Sequence, residues 1–277
     1  MLDPRHAILF EPVAIGPKTL PNRFYQVPHA SGFGSGKPRT QAAFRAIKAE
    51  GGWGGVCVEY APVSADADEA PYVAAYIRDD RDTAALRLTA DAVHAHGSLA
   101  GLELYHGGNS SANVSTRHTR IAPSPAMASI RWGSTAREMT LDDIRRVQAD
   151  FVAGARRARD AGFDIVYVYG AHGYLLTQFL STWSNRRTDG YGGSLPNRMR
   201  WPLEVFEAVR AAWPADRPLA VRLSATDWLD DAGGMTDSCL QGMGSYWSVH
   251  HKGRVEPSDV CEHLDPSALR KRCRAVV

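Results

Sequence analysis

The chain has 277 residues, with 32 Lys and Arg against 30 Asp and Glu, so its formal charge of +2 gives neither a nucleic-acid polyanion nor an acidic membrane a reason to bind it. A hydrophobic content of 44% with 22% charged residues fits a globular protein, and no apolar run approaches the ~20 residues needed to span a bilayer. The first residues place Asp3, Arg5, His6 and Glu11 among apolar positions, which breaks up a signal-peptide core, so a cytoplasmic location is expected.

In chain order, short β-rich runs alternate with segments of helical period, the pattern of parallel strands joined by helical crossovers. Strands are expected at 22–28, 55–60, 99–105, 164–169 and 219–224, each rich in Val, Leu, Tyr or Phe. The first helix is expected from a cap at Thr40 to Glu50, stopped by Gly51 and Gly52. A second runs from Asp79 to His96, acidic at its start and closed by Gly97, as the helix dipole and a left-handed C-terminal residue favour. Between the third strand and the next helix lies a polar stretch, 106–139, rich in Ser, Asn, Arg and Pro, which reads as an active-site loop.

The clearest helix follows Thr140. Thr140 and Asp143 can form a capping box, and Ile144, Val147, Phe151, Ala155 and Ala158 recur at helical spacing before Arg156, Arg157, Arg159 and Gly162. A further helix is expected from a cap at Ser194, with Leu195, Met199, Leu203, Phe206 and Val209 on one face and Pro214 beyond its end. The run 185–194 contains Gly190, Gly192 and Gly193 but lacks the lysine of a phosphate loop, so it reads as a structural turn. The pattern stops near Asp237. Residues 238–277 hold three of the four cysteines, Cys239, Cys261 and Cys273, at spacings that suit neither a zinc nor a redox motif, and are expected to be a divergent, poorly ordered tail beside a 1–237 barrel domain.

In a (β/α)8 barrel the working residues project from the C-terminal ends of the strands. Here those ends carry Pro28, His29 and Ala30, then Tyr60, then Glu103 with Tyr105 and His106, then Tyr169 with His172 close behind, and Arg222. Each has a plainer reading: strand-end tyrosines are common, His172 could be an ordinary loop histidine, and Glu103 and Arg222 could simply pair. Taken together, they can bind a planar, polar, anionic ring.

The runs NRFYQVPHASGFGS, KAEGGWGGVCVEY, LAGLELYHGG, AGFDIVYVYGAHGYLLTQFLS and NRRTDGYGGSLPNR resemble the barrel of the Old Yellow Enzyme superfamily, in the branch of trimethylamine dehydrogenase and its dimethylamine and histamine relatives. The resemblance implies an α/β fold, a (β/α)8 TIM barrel of the FMN-oxidoreductase type, with about five of its eight strands in this chain. It also implies FMN as cofactor. Pro28, His29 and Ala30 would line the ring, Glu103 would meet its pyrimidine edge, and Arg222 would face the side where negative charge gathers on reduction. Tyr60, Tyr169 and His172 would form the substrate side, where a tyrosine face can hold an alkylammonium and Tyr169 with His172 can manage the amine proton. Covalent members attach FMN through a cysteine after Pro-His; Ala30 has no sulfur, which implies noncovalent binding. The family's iron–sulfur cluster is not expected in this chain.

Oxidative dealkylation of a small N-methylated or alkyl amine is the activity so implied. The alternatives are an NAD(P)H-dependent reductase of α,β-unsaturated carbonyls and an inactive, shortened barrel. A small molecule is the expected partner, with neither nucleic acid nor membrane, and self-association is left open.

Overall fold

The computed structural model describes residues 3–127 and 135–223; the expected tail at 238–277 and Ser224 lie outside the described residues. A hairpin comes first, β1 (Val13–Ile15) against β2 (Lys18–Leu20), turned at Gly16 with φ +56°, a conformation glycine enters without a Cβ clash. There follow β3 (Tyr25–Gln26), α1 (Pro38–Glu50), β4 (Gly55–Pro62), α2 (Asp80–His94) and β5 (Leu99–Tyr105). Three short strands, β6 (Arg120–Ala122), β7 (Ala126–Met127) and β8 (Thr135–Glu138), form a separate small sheet. The chain continues through α3 (Leu141–Asp160), β9 (Ile165–Gly170), α4 (Leu175–Leu180), α5 (Leu195–Ala212) and β10 (Leu219–Leu223). Among the described residues no helix is long and apolar enough to cross a membrane.

The main sheet has the order β10-β9-β5-β4-β3, and every neighbouring pair is parallel. Strands taken in order with helical crossovers between them are the repeating unit of a (β/α)8 barrel, here incomplete, with five strands among the described residues. Strand alternation divides the side chains into two layers. From β5, Ala100, Leu102 and Leu104 join the hydrophobic cluster beneath the helices, as do Val166 and Val168 of β9. Gly101, Glu103 and Tyr105, and Tyr167 and Tyr169, take the opposite, inward parity. Gly101 is required there: a Cβ would lie 2.7 Å from Cys57 Sγ and 2.8 Å from the Tyr25 hydroxyl oxygen.

β4 breaks its alternation once. Cys57 pairs with Gly101 but Tyr60 pairs with Glu103, so three steps on β4 answer two on β5. This β-bulge brings Tyr60 onto the inward face, where its ring lies 4.6 Å from that of Tyr105.

The helices are fixed by local chemistry and by one buried face each. At α3 the expected capping box is formed: Thr140 Oγ1 accepts from the Asp143 amide at 3.1 Å and Asp143 accepts from the Thr140 amide at 2.8 Å. Ile144, Val147, Phe151, Ala155 and Ala158 are all buried, each large one contributing roughly 1.5–3 kcal/mol. Trp201 of α5 is completely buried against Phe179, ring centroids 4.5 Å apart, and its indole donates to the Ile144 carbonyl.

Four local expectations change. α1 begins at Pro38, whose ring presets the helical φ and lacks the N–H a first turn cannot use, not after Thr40. Ser194 occupies the N-cap of α5 but makes no side-chain capping bond. The expected strand at 22–28 shortens to two residues: Asn22 Oδ1 draws the amides of Phe24 and Gly54 into a turn before it, and Pro28 offers no donor after it. The polar stretch 106–139 carries β6, β7 and β8.

Candidate active site

The C-terminal ends of β4, β5 and β9 gather tyrosines. Tyr105 is wholly buried at the centre, with Tyr60 and Tyr174 each 4.6 Å away and Tyr169 at 5.6 Å, centroid to centroid. Ala171 completes the cluster, which stands apart from the main core. The Tyr105 hydroxyl donates to Glu69 at 2.9 Å, so one wall of this aromatic cup ends in a carboxylate.

Tyr169 and His172 meet at 2.6 Å, phenol oxygen to Nδ1. The sharp turn after β9 makes this possible: His172 has φ +55°, a left-handed conformation uncommon outside glycine, with Gly173 beside it at +67°. Burial, and after it the charge of Arg222, push the His172 imidazole down to about 4. Burial pushes the Tyr169 phenol up. Near neutral pH the pair is therefore uncharged and shares one hydrogen-bonding proton.

Arg222 on β10 pairs in register with Tyr169 of β9, and its guanidinium lies 5.0 Å from the Tyr169 ring centroid. On its other side, Nη1 is 3.4 Å and 3.5 Å from the two carboxylate oxygens of Glu103. Glu103 is completely buried, and burial pushes its carboxyl up to about 7 although Arg222 acts the other way.

The structure thus joins Tyr169, His172, Arg222 and Glu103 by direct contacts, and Tyr60 to them through Tyr105. Arg222 already covers a face of Tyr169, so the expected alkylammonium seat on that ring is partly filled by the protein's own cation. Pro28, His29 and Ala30 follow β3, on the far side of β4. The His29 ring meets Gln26 at 2.8 Å and Arg45 at 3.2 Å, and its carbonyl accepts from Arg45 Nη2 at 2.6 Å. Sequence reasoning placed Tyr105 at a strand end without a role of its own, and missed Tyr174 and Glu69. Two-residue alternation from Glu103 signals Tyr105; Tyr174 and Glu69 lie on loops whose path only the fold reveals.

The fold is an incomplete (β/α)8 barrel whose strand ends carry a buried acid, a guanidinium and an aromatic cluster. The chain belongs to the NADH:flavin oxidoreductase / NADH oxidase family, whose family model matches residues 8–263. It is 44% identical over 236 residues to dimethylamine dehydrogenase of Hyphomicrobium sp. (strain x), covering 82% of this chain and 32% of that protein. Histamine dehydrogenase from Rhizobium sp. 4-9 superposes with a TM-score of 0.77 at 39% identity, covering 80% of this chain and 35% of that one. Morphinone reductase in complex with tetrahydroNAD superposes with a TM-score of 0.72 at 31% identity, covering 83% and 66%. The chain therefore spans about a third of the length of the two amine dehydrogenases.

Proposed function

We propose that this chain supports the FMN-dependent oxidation of a small N-methylated or alkyl amine by hydride transfer, and that Tyr169 and His172, hydrogen-bonded at 2.6 Å inside the aromatic cup, hold the reacting nitrogen. That contact carries the reading. The donor set fits the cofactor. A buried carboxylate can accept from several donors, yet among the described residues Glu103 meets one hydrogen-bonding partner, Arg222, at long range. The N–H edge of a flavin pyrimidine ring would supply the missing donor, with Arg222 a fixed positive charge beside it. Ala30 offers no sulfur, so the ring would be held noncovalently.

When bound, FMN supplies a ring that takes up a hydride. The protein's own groups prepare the amine. Hydride leaves a carbon next to nitrogen only when the nitrogen lone pair is free to form the C=N bond. The low basicity of His172 and the neighbouring charge of Arg222 both disfavour a bound ammonium, so the cup selects the free base. Tyr60 and Tyr174, backed by the buried Tyr105, pack against the alkyl groups, and the uncharged Tyr169–His172 pair hydrogen-bonds the nitrogen. Loss of hydride leaves an iminium, and water adds to it to give an aldehyde, a smaller amine and a proton.

The test is anaerobic reduction of the FMN-loaded protein by methylated amines. Bleaching of the flavin band is expected, and Tyr169→Phe should lower kcat/KM by about 10²–10⁴, the range of acid–base positioning effects. A protein that takes up no FMN, or one bleached by amines equally well without Tyr169, refutes the proposal. A second reading rests on the same pair: Tyr169 and His172, bonded to each other, leave one donor between them for a carbonyl oxygen, as a reductase of unsaturated carbonyls would require. Bleaching by NADPH but not by amines would favour it.

A further inference from the structure

A second polar cluster, outside the aromatic cup, is buried where β3 ends. Arg45 and Gln41 stand one turn apart on the inner face of α1, and Glu59 lies on β4; Arg45 and Glu59 are 0% exposed and Gln41 2%. Arg45 Nη2 donates to the His29 carbonyl at 2.6 Å and lies 3.7 Å from Glu59 Oε2. Its Nη1 donates to Gln26 Oε1 at 2.9 Å. Glu59 Oε2 accepts from the Ser31 amide at 2.7 Å and from the Ser31 hydroxyl at 3.1 Å. Ser31 Oγ also lies 2.5 Å from Gln41 Oε1.

Burying an ion pair is costly, and this one leaves polar atoms unpaired: among the described residues Glu59 Oε1, Arg45 Nε and Gln41 Nε2 have no hydrogen-bond partner. Burial pushes the Glu59 carboxyl up and pulls Arg45 down to about 10, so Arg45 remains a cation at neutral pH. A hydrophobic pair would fill the same space without that penalty. What the charged pair does instead is hold two backbone groups on either side of one residue. The carbonyl of His29 and the amide of Ser31 are both drawn into the protein, and between them stands Ala30, with a methyl side chain too small to cover its own peptide groups.

We propose that Arg45 and Glu59 are positioning residues: by clamping the His29 carbonyl and the Ser31 amide they set the peptide groups of Ala30 against the cofactor ring. This rests on the flavin reading above. It also divides the segment differently from its sequence-level reading, in which Pro28, His29 and Ala30 serve alike. The His29 carbonyl faces inward to Arg45 and does not contact a ligand, and His29 acts through its place in the clamp.

Amide hydrogen exchange and FMN titration of the full chain test it together. In the FMN-free protein Glu59→Gln, which keeps the shape and removes the charge, should speed exchange at the Ser31 amide about tenfold, as expected when a charge-assisted bond becomes a neutral one. The same variant should bind FMN about tenfold more weakly and alter the absorption envelope of the bound flavin. Arg45→Lys keeps the cation but loses the planar fork, and should fall between the parent and Arg45→Met. Should Arg45→Met fail to fold, Glu59→Gln and Arg45→Lys decide. Variants with parental Ser31 exchange, or with altered exchange but parental FMN affinity and spectrum, overturn the inference. A parent chain that takes up no FMN overturns the flavin reading and the cofactor role of the clamp with it, while Ser31 exchange still reports whether the clamp exists.

Discussion

Replacing Glu103 by Gln should make the FMN-free protein more stable in mild base and leave it nearly unchanged in acid. The carboxyl is completely buried, and its pKa rises from 4.5 to about 7. An acid whose folded value lies above its unfolded one binds more protons when folded, so stability falls as pH rises from about 4.5 and levels off above about 7. At 1.36 kcal/mol for each unit between the two values, the ionised carboxylate costs roughly 3 kcal/mol at pH 8 and under about 1 kcal/mol at pH 5. The expected change in the wild-type to E103Q difference between those two conditions is thus about 2–3 kcal/mol. Urea unfolding of both proteins at pH 5 and pH 8 measures it. Other groups titrate in this range, so the difference between the proteins is the readout. Equal differences at both pH values would show that Glu103 is not held in a desolvated site, and would remove the argument that it lacks a donor.

His94 gives a second pH signature. Its imidazole meets Asp164 at 2.7 Å, and this hydrogen bond raises its pKa. The stability it contributes is therefore fully present below the ordinary histidine value of 6.5 and lost as pH rises through the higher folded value. His94→Asn should lose less stability than wild type between pH 6 and pH 8.5 in the same unfolding assay; parallel curves would refute the pairing. At the barrel floor, Gly101→Ala should cost about 1–3 kcal/mol, because the new methyl collides with Cys57 Sγ and the Tyr25 hydroxyl. Adding Cys57→Ala should recover part of that loss in thermal unfolding, and no recovery would locate the strain elsewhere.

What was legible in the sequence follows the range of the interactions. Thr140 and Asp143 specify the start of α3 between themselves, three residues apart, so the capping box could be read directly. β4, β5 and β9 could be located because each is a dense apolar run, almost wholly buried, whereas β3 keeps only two residues of its expected span. The β1–β2 hairpin, with strands of three residues, and β6 to β8, which lie in a polar stretch, exist through pairing with partners that no local pattern names. The same division runs through the site. Glu103, Tyr169 and Arg222 are separated by more than fifty residues from one to the next, and strand-end position alone brought them to notice. The cover Arg222 places on Tyr169 is a product of neighbouring strands in register, and its contact with Glu103 reaches across the intervening β9. Arg45 gave no signal, because nothing in a helical period distinguishes a buried cation from a solvated one.

The irregularity in β4 also governs charge. With Cys57 opposite Gly101, an unbroken ladder would set Glu59 directly opposite Glu103, two carboxylates side by side on one inward face. Like charges facing each other across a ladder repel, and no single cation nearby could answer both. The extra residue moves them into separate electrical neighbourhoods, Glu59 with Arg45 and Glu103 with Arg222. Deleting Tyr60 would therefore do more than shorten a strand: with Cys57 still opposite Gly101 and Ala61 opposite Leu104, Glu59 would fall opposite Glu103, and one of the two acids would have to stay protonated for the sheet to close.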